Sequence, residues 1–170
     1  PDFGLITNIS EAHIAGYENF NDLIETKLDL YQSIDNSNGV FFLNKDDLSI
    51  CNWHNMNFNK VVSYSINNID SNFIGDLSEI NNSIISINND SFNIPYNSTA
   101  FAYNFLASYS IAATFKVDSS AVQNVLDHFK LPEGRGDYLN INSNIIINDS
   151  YNANLESMIS GISQLKYFNK

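Results

Sequence analysis

The stretch Val40-Phe-Phe-Leu-Asn-Lys-Asp-Asp47 sets the fold, because four apolar residues run directly into a polar segment that can start a helix. A short apolar run bounded by turn-forming residues is typical of a buried strand. Just before it, Asn36 to Gly39 has the composition of a turn, and we expect it to end a helix. The local order is therefore helix, strand, helix.

A helix is predicted upstream of this strand, from Tyr17 to Ile34. Its apolar residues recur at helical spacing and form one face: Leu23, Ile24, Leu28, Tyr31 and Ile34. Before this helix, the apolar-rich segment Phe3 to Ile9 predicts another strand, and a polar loop that contains His13 follows it. This alternation of strands and helices predicts an α/β fold with a mainly parallel sheet covered by helices.

Further along the chain the pattern changes to short β-type runs. Between Val61 and Ile94 these runs, such as Ser83 to Ile87 and Ser91 to Ile94, are separated by Asn, Asp and Ser, and we expect hairpin strands at the sheet edge. Two helices are predicted next, an apolar one from Thr99 to Phe115 and an amphipathic one from Ser119 to Phe129.

The segment Leu131-Pro-Glu-Gly-Arg-Gly136 contains one proline and two glycines, and we place a domain boundary there. Residues 1–133 would form one domain, and residues 134–170 would begin a second. A strand over 144–149 and a helix over 155–168 predict the first βα unit of that second α/β domain. Because the sequence starts without Met and stops within a helical pattern, we expect an excerpt of a longer protein.

Charge and composition exclude several classes of protein. The formal net charge is −11, so no basic patch is available for nucleic acid or for an anionic membrane surface. No apolar run approaches the roughly 20 residues of a membrane span, and the first residues lack the layout of a signal peptide. The single cysteine, Cys51, cannot form an internal disulfide, which suits a reducing compartment. We expect no nucleic-acid binding and no membrane insertion.

Arg135 is the only arginine of the chain. Lysine can replace arginine as a charge, but it cannot supply the planar fork that binds phosphate or carboxylate with two hydrogen bonds. Arg135 is therefore a candidate anion ligand. The alternative is an arginine that remains on the surface without a role.

A second candidate site follows the run Ile145-Ile-Ile147, which we predict to be a buried strand. The polar turn after it brings Asp149, Tyr151, Asn152 and Asn154 to the carboxyl end of a sheet, where open α/β sheets bind ligands. The alternative is an Asx-rich turn that only caps the next helix.

Several segments, in this order, resemble the Mur ligase family of peptidoglycan-building enzymes. They are Thr7-Asn-Ile9 with His13, Glu25-Thr-Lys-Leu-Asp-Leu30, Gly39 to Asp47, Gly134-Arg-Gly136, and Asn148 to Asn154 with Ser157-Met158. The turn Asp149-Ser-Tyr-Asn-Ala-Asn154 is similar to that of the branch that adds D-alanyl-D-alanine to UDP-N-acetylmuramoyl-tripeptide. The resemblance covers nearly the whole chain and is weak between residues 50 and 100.

The resemblance implies the later part of a central, P-loop-type ATPase domain, followed by the start of a Rossmann-like C-terminal domain. The phosphate-binding pattern G-x-x-x-x-G-K-[ST] does not occur in the sequence, so we expect the chain alone to be inactive. For the intact enzyme the resemblance implies ATP and Mg²⁺ as cofactors, a monomer, and a bacterial cytoplasmic location.

The resemblance also implies roles for individual residues. Catalytic roles fall on Lys27, His13 and Arg135, with His13 and a carbamylated Lys27 binding magnesium. The nucleotide would contact Asn104, Arg135 and Asp149, and the other substrates Asn8, Tyr151, Asn152 and Asn154. The alternatives are a hydrogen-bonded loop histidine and a solvated lysine on an amphipathic helix.

One stretch departs from the family pattern. The usual Gly-x-His-Asn-x-x-Asn corresponds to Ser98-Thr-Ala-Phe-Ala-Tyr-Asn104 here, and only Asn104 is retained. Either the adenine contacts are rebuilt or nucleotide binding is impaired. The competing functions are therefore a peptide ligase, a relative that acts on another amino acid or on folate, and a non-catalytic α/β binding module.

Overall fold

The computed structural model of the chain describes residues 1–11, 14–52 and 59–168. Within them, a six-stranded sheet has its strands in sequence order. The strands are β1 (Phe3–Ile6), β2 (Val40–Asn44), β3 (Val61–Ser65), β4 (Phe73–Asp76), β5 (Ile84–Ile87) and β6 (Asp90–Asn93). The first four are parallel, whereas β5 and β6 continue the sheet antiparallel. The predicted α/β fold with a mainly parallel sheet is confirmed.

Helix α1 (Phe20–Asn36) covers one face of the sheet. The Asn19 side chain caps its first turn by accepting a hydrogen bond from the Asp22 N–H at 3.1 Å. Its buried residues are those of the predicted apolar face, except that Ile24 is only partly buried: Leu23, Leu28, Tyr31 and Ile34. A methyl group at Gly4 of β1 would lie 2.2 Å from the Ile34 side chain, so Ile34 would have to shift to admit any larger residue there.

Helices α3 (Thr99–Thr114) and α4 (Ser119–His128) belong to the core on the other face, while the short α2 (Leu48–Cys51) follows β2. Successive residues of a strand point to opposite faces. Accordingly, Phe41 packs in the α1 core and Phe42 in the α3 core. The sheet therefore lies between two helical layers.

The predicted edge hairpin is present as β5 and β6, which pair antiparallel at the end of the sheet. The segments 61–65 and 73–76 differ from the prediction, because they are parallel strands inside the sheet. Side-chain hydrogen bonds hold the short connection between them: the Asn72 Oδ1 atom accepts from the Ser63 N–H at 2.8 Å. Spacing of apolar residues alone gave no sign of this connection.

Residues 137–168 form a second, separate group of elements. Strands β7 (Asp137–Ile141) and β8 (Asn144–Asn148) pair antiparallel, and α5 (Leu155–Gln164) follows, extended by the 3₁₀ turn Leu165–Phe168. The strand and helix predicted here are present, whereas β7 was not predicted. The prediction that the isoleucines are buried is wrong: Ile145 is 54% and Ile146 43% exposed. Among the described strands β8 pairs only with β7, so its run of isoleucines is not sandwiched between layers.

The described helices include none that is both long enough and apolar enough to cross a membrane.

Removing the Tyr31 hydroxyl should destabilise the sheet. This buried group accepts a hydrogen bond from the Ile6 N–H at 3.1 Å and donates one to the Phe42 carbonyl at 3.0 Å, so it joins α1 to β1 and β2. Tyr31→Phe removes both of these buried hydrogen bonds, and we expect a loss of about 1–3 kcal/mol in the free energy of unfolding, measured by urea denaturation.

Tyr64→Phe is the matched control. Tyr64 is as deeply buried as Tyr31, but its hydroxyl has no hydrogen-bond partner within the described residues. Its removal should therefore change the free energy of unfolding by less than about 0.5 kcal/mol or stabilise the protein. Equal losses in the two variants would contradict the assigned role of Tyr31.

Candidate functional site

A cavity of about 530 Å³ lies at the carboxyl edge of the parallel sheet. Parallel strands end at the same edge, which is where ligands bind in open α/β sheets. The residues that follow β1 and β2 therefore meet the first turns of α3. The cavity is lined mainly by Thr7, Asn8, Asn44, Asp46, Asp47, Tyr64, Ala100, Tyr103 and Asn104.

The two acidic side chains at this edge, Asp46 and Asp47, join neighbouring segments of the chain by hydrogen bonds. Asp47 accepts hydrogen bonds from the Ile50 N–H, at the start of α2, and from the Ile9 N–H at 2.7 Å. Asp46 accepts from the Ile66 N–H at 2.6 Å and from the Tyr103 hydroxyl at 2.8 Å. Both carboxylates therefore already accept hydrogen bonds from the segments that they join.

Two amides of this edge, those of Asn104 and Asn8, are more available to a ligand than its acids. The Asn104 side chain makes no hydrogen bond within the described residues, and it reaches the cavity from α3. Asn8 is exposed and accepts only a long hydrogen bond, 3.5 Å, from the Thr7 hydroxyl. These two amides can form hydrogen bonds to a ligand without breaking the hydrogen bonds that stabilise the edge.

The loop Gly134-Arg-Gly136 is fastened to the turn that follows β8. The Gly136 N–H donates to the Asn148 carbonyl at 2.8 Å, and the Tyr151 N–H donates to the Gly134 carbonyl at 2.9 Å. Gly134 and Gly136 have φ values of 79° and 86°, in the left-handed region that favours glycine. Arg135 is therefore held beside the polar turn and does not lie on a free linker.

Arg135 and Tyr151 contact each other directly. The guanidinium carbon lies 3.6 Å from the centre of the Tyr151 ring, which is a cation–π arrangement. Both side chains are exposed.

The remaining residues of the turn differ in whether their side chains already make contacts within the protein. Asn154 caps α5: its Oδ1 accepts from the Ser157 N–H at 2.9 Å, as the helix-cap alternative anticipated. Asn152 is exposed. The Asp149 carboxylate lies against Gly161 of α5, where a methyl group would come within 2.8 Å of Oδ2.

One cleft of about 880 Å³ brings most of the predicted site residues together. Asn8, Ala100 and Asn104 line it from the six-stranded sheet and α3. The opposite side is formed by Arg135, Asp149, Tyr151 and Asn154, with Asn152 in an adjoining pocket. Two separate parts of the fold, each carrying groups that can bind polar ligands, therefore face each other.

Comparisons with known proteins agree on one family. The Mur ligase middle domain matches residues 1–112, which is more than half of the chain. The chain belongs to the Mur ligase family.

Individual relatives are similar over almost all of this Mur ligase chain. The UDP-N-acetylmuramoyl-tripeptide–D-alanyl-D-alanine ligase of Rickettsia prowazekii is 28% identical over 190 residues, covering 98% of this chain and 39% of the relative. The structure of MurF from Acinetobacter baumannii superimposes with a TM-score of 0.80 at 18% identity, covering 99% of this chain and 38% of that one. That of MurF ligase from Thermotoga maritima in complex with ADP gives 0.76 at 17% identity, covering 98% and 39%. This chain thus spans about two-fifths of the length of these relatives.

One residue predicted for a Mur ligase site, Lys27, is not brought into the cleft, and another, His13, cannot be placed. Lys27 is exposed on α1, is absent from the cleft lining, and has no hydrogen bond to the described residues. His13 lies outside the described residues. The carbamate and the magnesium ligand therefore stay predictions.

The altered Mur ligase stretch has a clear structural role. The Ser98 hydroxyl caps α3 by accepting from the Phe101 N–H at 3.1 Å, and Phe101 is buried against Tyr96 and Phe129. Ala100 is exposed and lines the cleft, so the histidine position of the family pattern offers no polar group here.

Sequence reasoning did not select Tyr103 or Asp46, which line the cavity and hydrogen-bond each other. The position of Asp46 directly after β2 was the available signal. Tyr103 gave none, since its contact depends on how α3 packs.

Gly134→Ala should loosen the loop that carries Arg135. The substitution places a side chain at φ 79° with its Cβ 3.2 Å from the Tyr151 nitrogen. A non-glycine residue in this region costs roughly 1–2 kcal/mol, so we expect that loss in stability. Amide hydrogen exchange at Tyr151 should also accelerate, because its N–H bonds to Gly134.

Gly16→Ala provides the comparison, since no atom lies within 4 Å of the added methyl group and its φ is not in the left-handed region. It should shift stability by no more than about 0.5 kcal/mol. An unchanged Tyr151 exchange rate in Gly134→Ala would show that the two backbone hydrogen bonds do not hold the loop.

Proposed function

We propose that the intact protein is an ATP-dependent ligase that joins D-alanyl-D-alanine to UDP-N-acetylmuramoyl-tripeptide in peptidoglycan-precursor synthesis. The observation that carries the proposal is the cleft in which Asn8 and Asn104 face Arg135, Asp149 and Tyr151. A relative that bears this name and matches 98% of the chain supports it. The protein would act as a cytoplasmic monomer.

We also propose the domain boundary at residues 133 and 134. Residues 1–133 would be the later part of the central ATP-binding domain, and residues 134–170 the start of the C-terminal domain. The two separate sheets on either side of this point support the division.

The proposed reaction explains why the cleft would need amides and a fixed cation. A carboxylate becomes an electrophile only when its oxygen is made a leaving group. ATP would supply that activation: the γ-phosphoryl moves to the carboxylate, the amine attacks the acyl phosphate, and phosphate leaves. Because the two reactants are both anions, fixed positive charge is needed to bring them together. In a chain of net charge −11 this charge must be supplied locally.

The roles of the residues follow from the side of the cleft on which they lie. Asn104, beside the exposed Ala100, would contact the nucleotide, and Asn8 the acceptor substrate. Arg135 would bind phosphate with its planar fork. Asp149 would accept hydrogen bonds from the nucleotide ribose, and Asn152 and Asn154 would lie where the dipeptide enters.

In this proposal Mg²⁺ would bind together with ATP. Among the described residues no group of three or more His, Cys, Asp or Glu side chains could hold a metal ion. The Asp46 and Asp47 carboxylates already accept backbone hydrogen bonds. His13 and a carbamylated Lys27 remain the proposed ligands, and we assign no step of the reaction to the metal.

Ala100 and Phe101 favour one second candidate, a binding protein that keeps the fold without turnover. Neither residue offers a hydrogen bond from its side chain, and Phe101 is buried. In this alternative ATP would not bind.

Phosphate release by the intact protein distinguishes these functions. With ATP, Mg²⁺ and UDP-N-acetylmuramoyl-tripeptide present, we expect release that depends on added D-alanyl-D-alanine. Release that instead requires a single amino acid or a folate would assign another ligase activity. The absence of ATP binding in calorimetry would identify the non-catalytic protein.

Arg135→Lys tests the phosphate contact, because it keeps the charge and removes the bidentate fork. We expect kcat to fall about tenfold, equivalent to about 1.4 kcal/mol of transition-state stabilisation. Stability should change by less than about 0.5 kcal/mol, because the side chain is exposed. Lys130→Gln removes a cation from an exposed position outside the cleft and should leave kcat unchanged. A near-normal kcat in Arg135→Lys at saturating substrate would remove Arg135 from the site.

A further inference from the structure

The Arg135 guanidinium lies over the Tyr151 ring, with its carbon 3.6 Å from the ring centre. Within the described residues Arg135 forms no ion pair, although Asp149 lines the same pocket. The five N–H donors of a guanidinium lie in its plane, and a carboxylate partner would occupy two of them. A ring that contacts the face of the guanidinium leaves all of these in-plane donors available.

We propose that Tyr151 is a positioning residue that holds the Arg135 guanidinium ready for a phosphate group, and that it is not a direct contact of the incoming dipeptide. This inference rests on the proposed ligase function. It changes the role that the resemblance implies for Tyr151.

The backbone keeps this pair together. The Tyr151 N–H donates to the carbonyl of Gly134, the residue next to Arg135, and the Gly136 N–H donates to the Asn148 carbonyl. Both hydrogen bonds lie within one side of the cleft. The backbone therefore holds Arg135 and Tyr151 next to each other on the same side of the cleft.

Stacking of the Arg135 guanidinium on the Tyr151 ring lowers the entropic cost of phosphate binding. A free arginine side chain loses rotamer entropy when it is fixed. A ring beneath the guanidinium restricts these rotamers before the phosphate arrives, which is the usual gain from a preorganised site. The effect should therefore appear in the rate of the chemical step, kcat, because Arg135 would act on the phosphoryl group.

The contact itself can be measured without activity. In the intact protein the Arg135 Nε–Hε NMR signal is identified by its loss in Arg135→Lys. Protons above an aromatic face resonate upfield, so this signal should move downfield in Tyr151→Leu and remain near its wild-type position in Tyr151→Phe. An unchanged signal in Tyr151→Leu would overturn the proposal, whatever the enzyme's activity.

Kinetics of the intact protein test the consequence. Tyr151→Leu should lower kcat about two- to fivefold, as expected from a cation–π contact at an exposed site, with little change in the KM for D-alanyl-D-alanine. Tyr151→Phe, which keeps the ring, should restore most of the loss. In an Arg135→Ala background Tyr151→Leu should have almost no further effect, because the two residues act as a pair.

The opposite results are equally clear. A raised KM for the dipeptide that persists in the Arg135→Ala background would make Tyr151 a substrate contact and overturn the positioning role. An unchanged kcat in Tyr151→Leu would do the same. If wild-type protein shows no phosphate release dependent on D-alanyl-D-alanine, the proposed ligase function fails, and the positioning role fails with it.

Discussion

The burial of β2 on both faces is the constraint on which the rest of the structure depends. Phe41 packs beneath α1 and Phe42 beneath α3, so neither helical layer can be removed without exposing a large aromatic side chain. Burying one such side chain stabilises a fold by roughly 1.5–3 kcal/mol. A strand covered on both sides is typical of parallel sheets, whose strands all end at one edge. Asn8 and the Asn44 to Asp47 turn are neighbours for this reason.

The carboxyl edge of the sheet carries two kinds of polar group. Some already accept hydrogen bonds within the protein, and others are available to a ligand. Asp46 and Asp47 are committed to hydrogen bonds that join loops, so they stabilise the edge and do not offer free acceptors. The amides of Asn8 and Asn104 remain available, and Arg135 faces them across the cleft. For an acidic chain this division has an electrostatic consequence, since anions are repelled in general and can be attracted only where a fixed donor or cation faces the cleft.

The sequence predicted the elements that depend on local periodicity and missed those that depend on particular contacts. The apolar face of α1 and the β2 run were recognisable from spacing alone. Strand β7 was missed because its residues, Asp137 to Ile141, are mixed in polarity and its turn uses Asn142 at φ 55°. The isoleucines of β8 were expected to be buried because an apolar run shows what a strand can bury and not what covers it.

The candidate site could be predicted in composition but not in geometry. Asn8, Asn104, Arg135 and Asp149 were selected from the sequence, and they do line one cleft. The Arg135–Tyr151 contact could not be foreseen, because it depends on how the loop Gly134-Arg-Gly136 lies against the turn after β8. Spacing along the chain carries no information on which side chain a guanidinium will face.

The connection between the two sides of the cleft is short and held at both ends. The Leu131 N–H donates to the Tyr96 hydroxyl at 3.1 Å, and Gly134 is bonded to the turn after β8. Only Pro132 and Glu133 lie between these attachments. The Tyr96 and Tyr138 rings also meet across the gap, with their centres 5.3 Å apart. A change in cleft width would therefore have to separate these two rings or bend the backbone between residues 131 and 134, where the ring of Pro132 fixes one angle, its own φ. In either case Arg135 would move with Tyr151, and the distance from the guanidinium to Asn104 would be the quantity that changes.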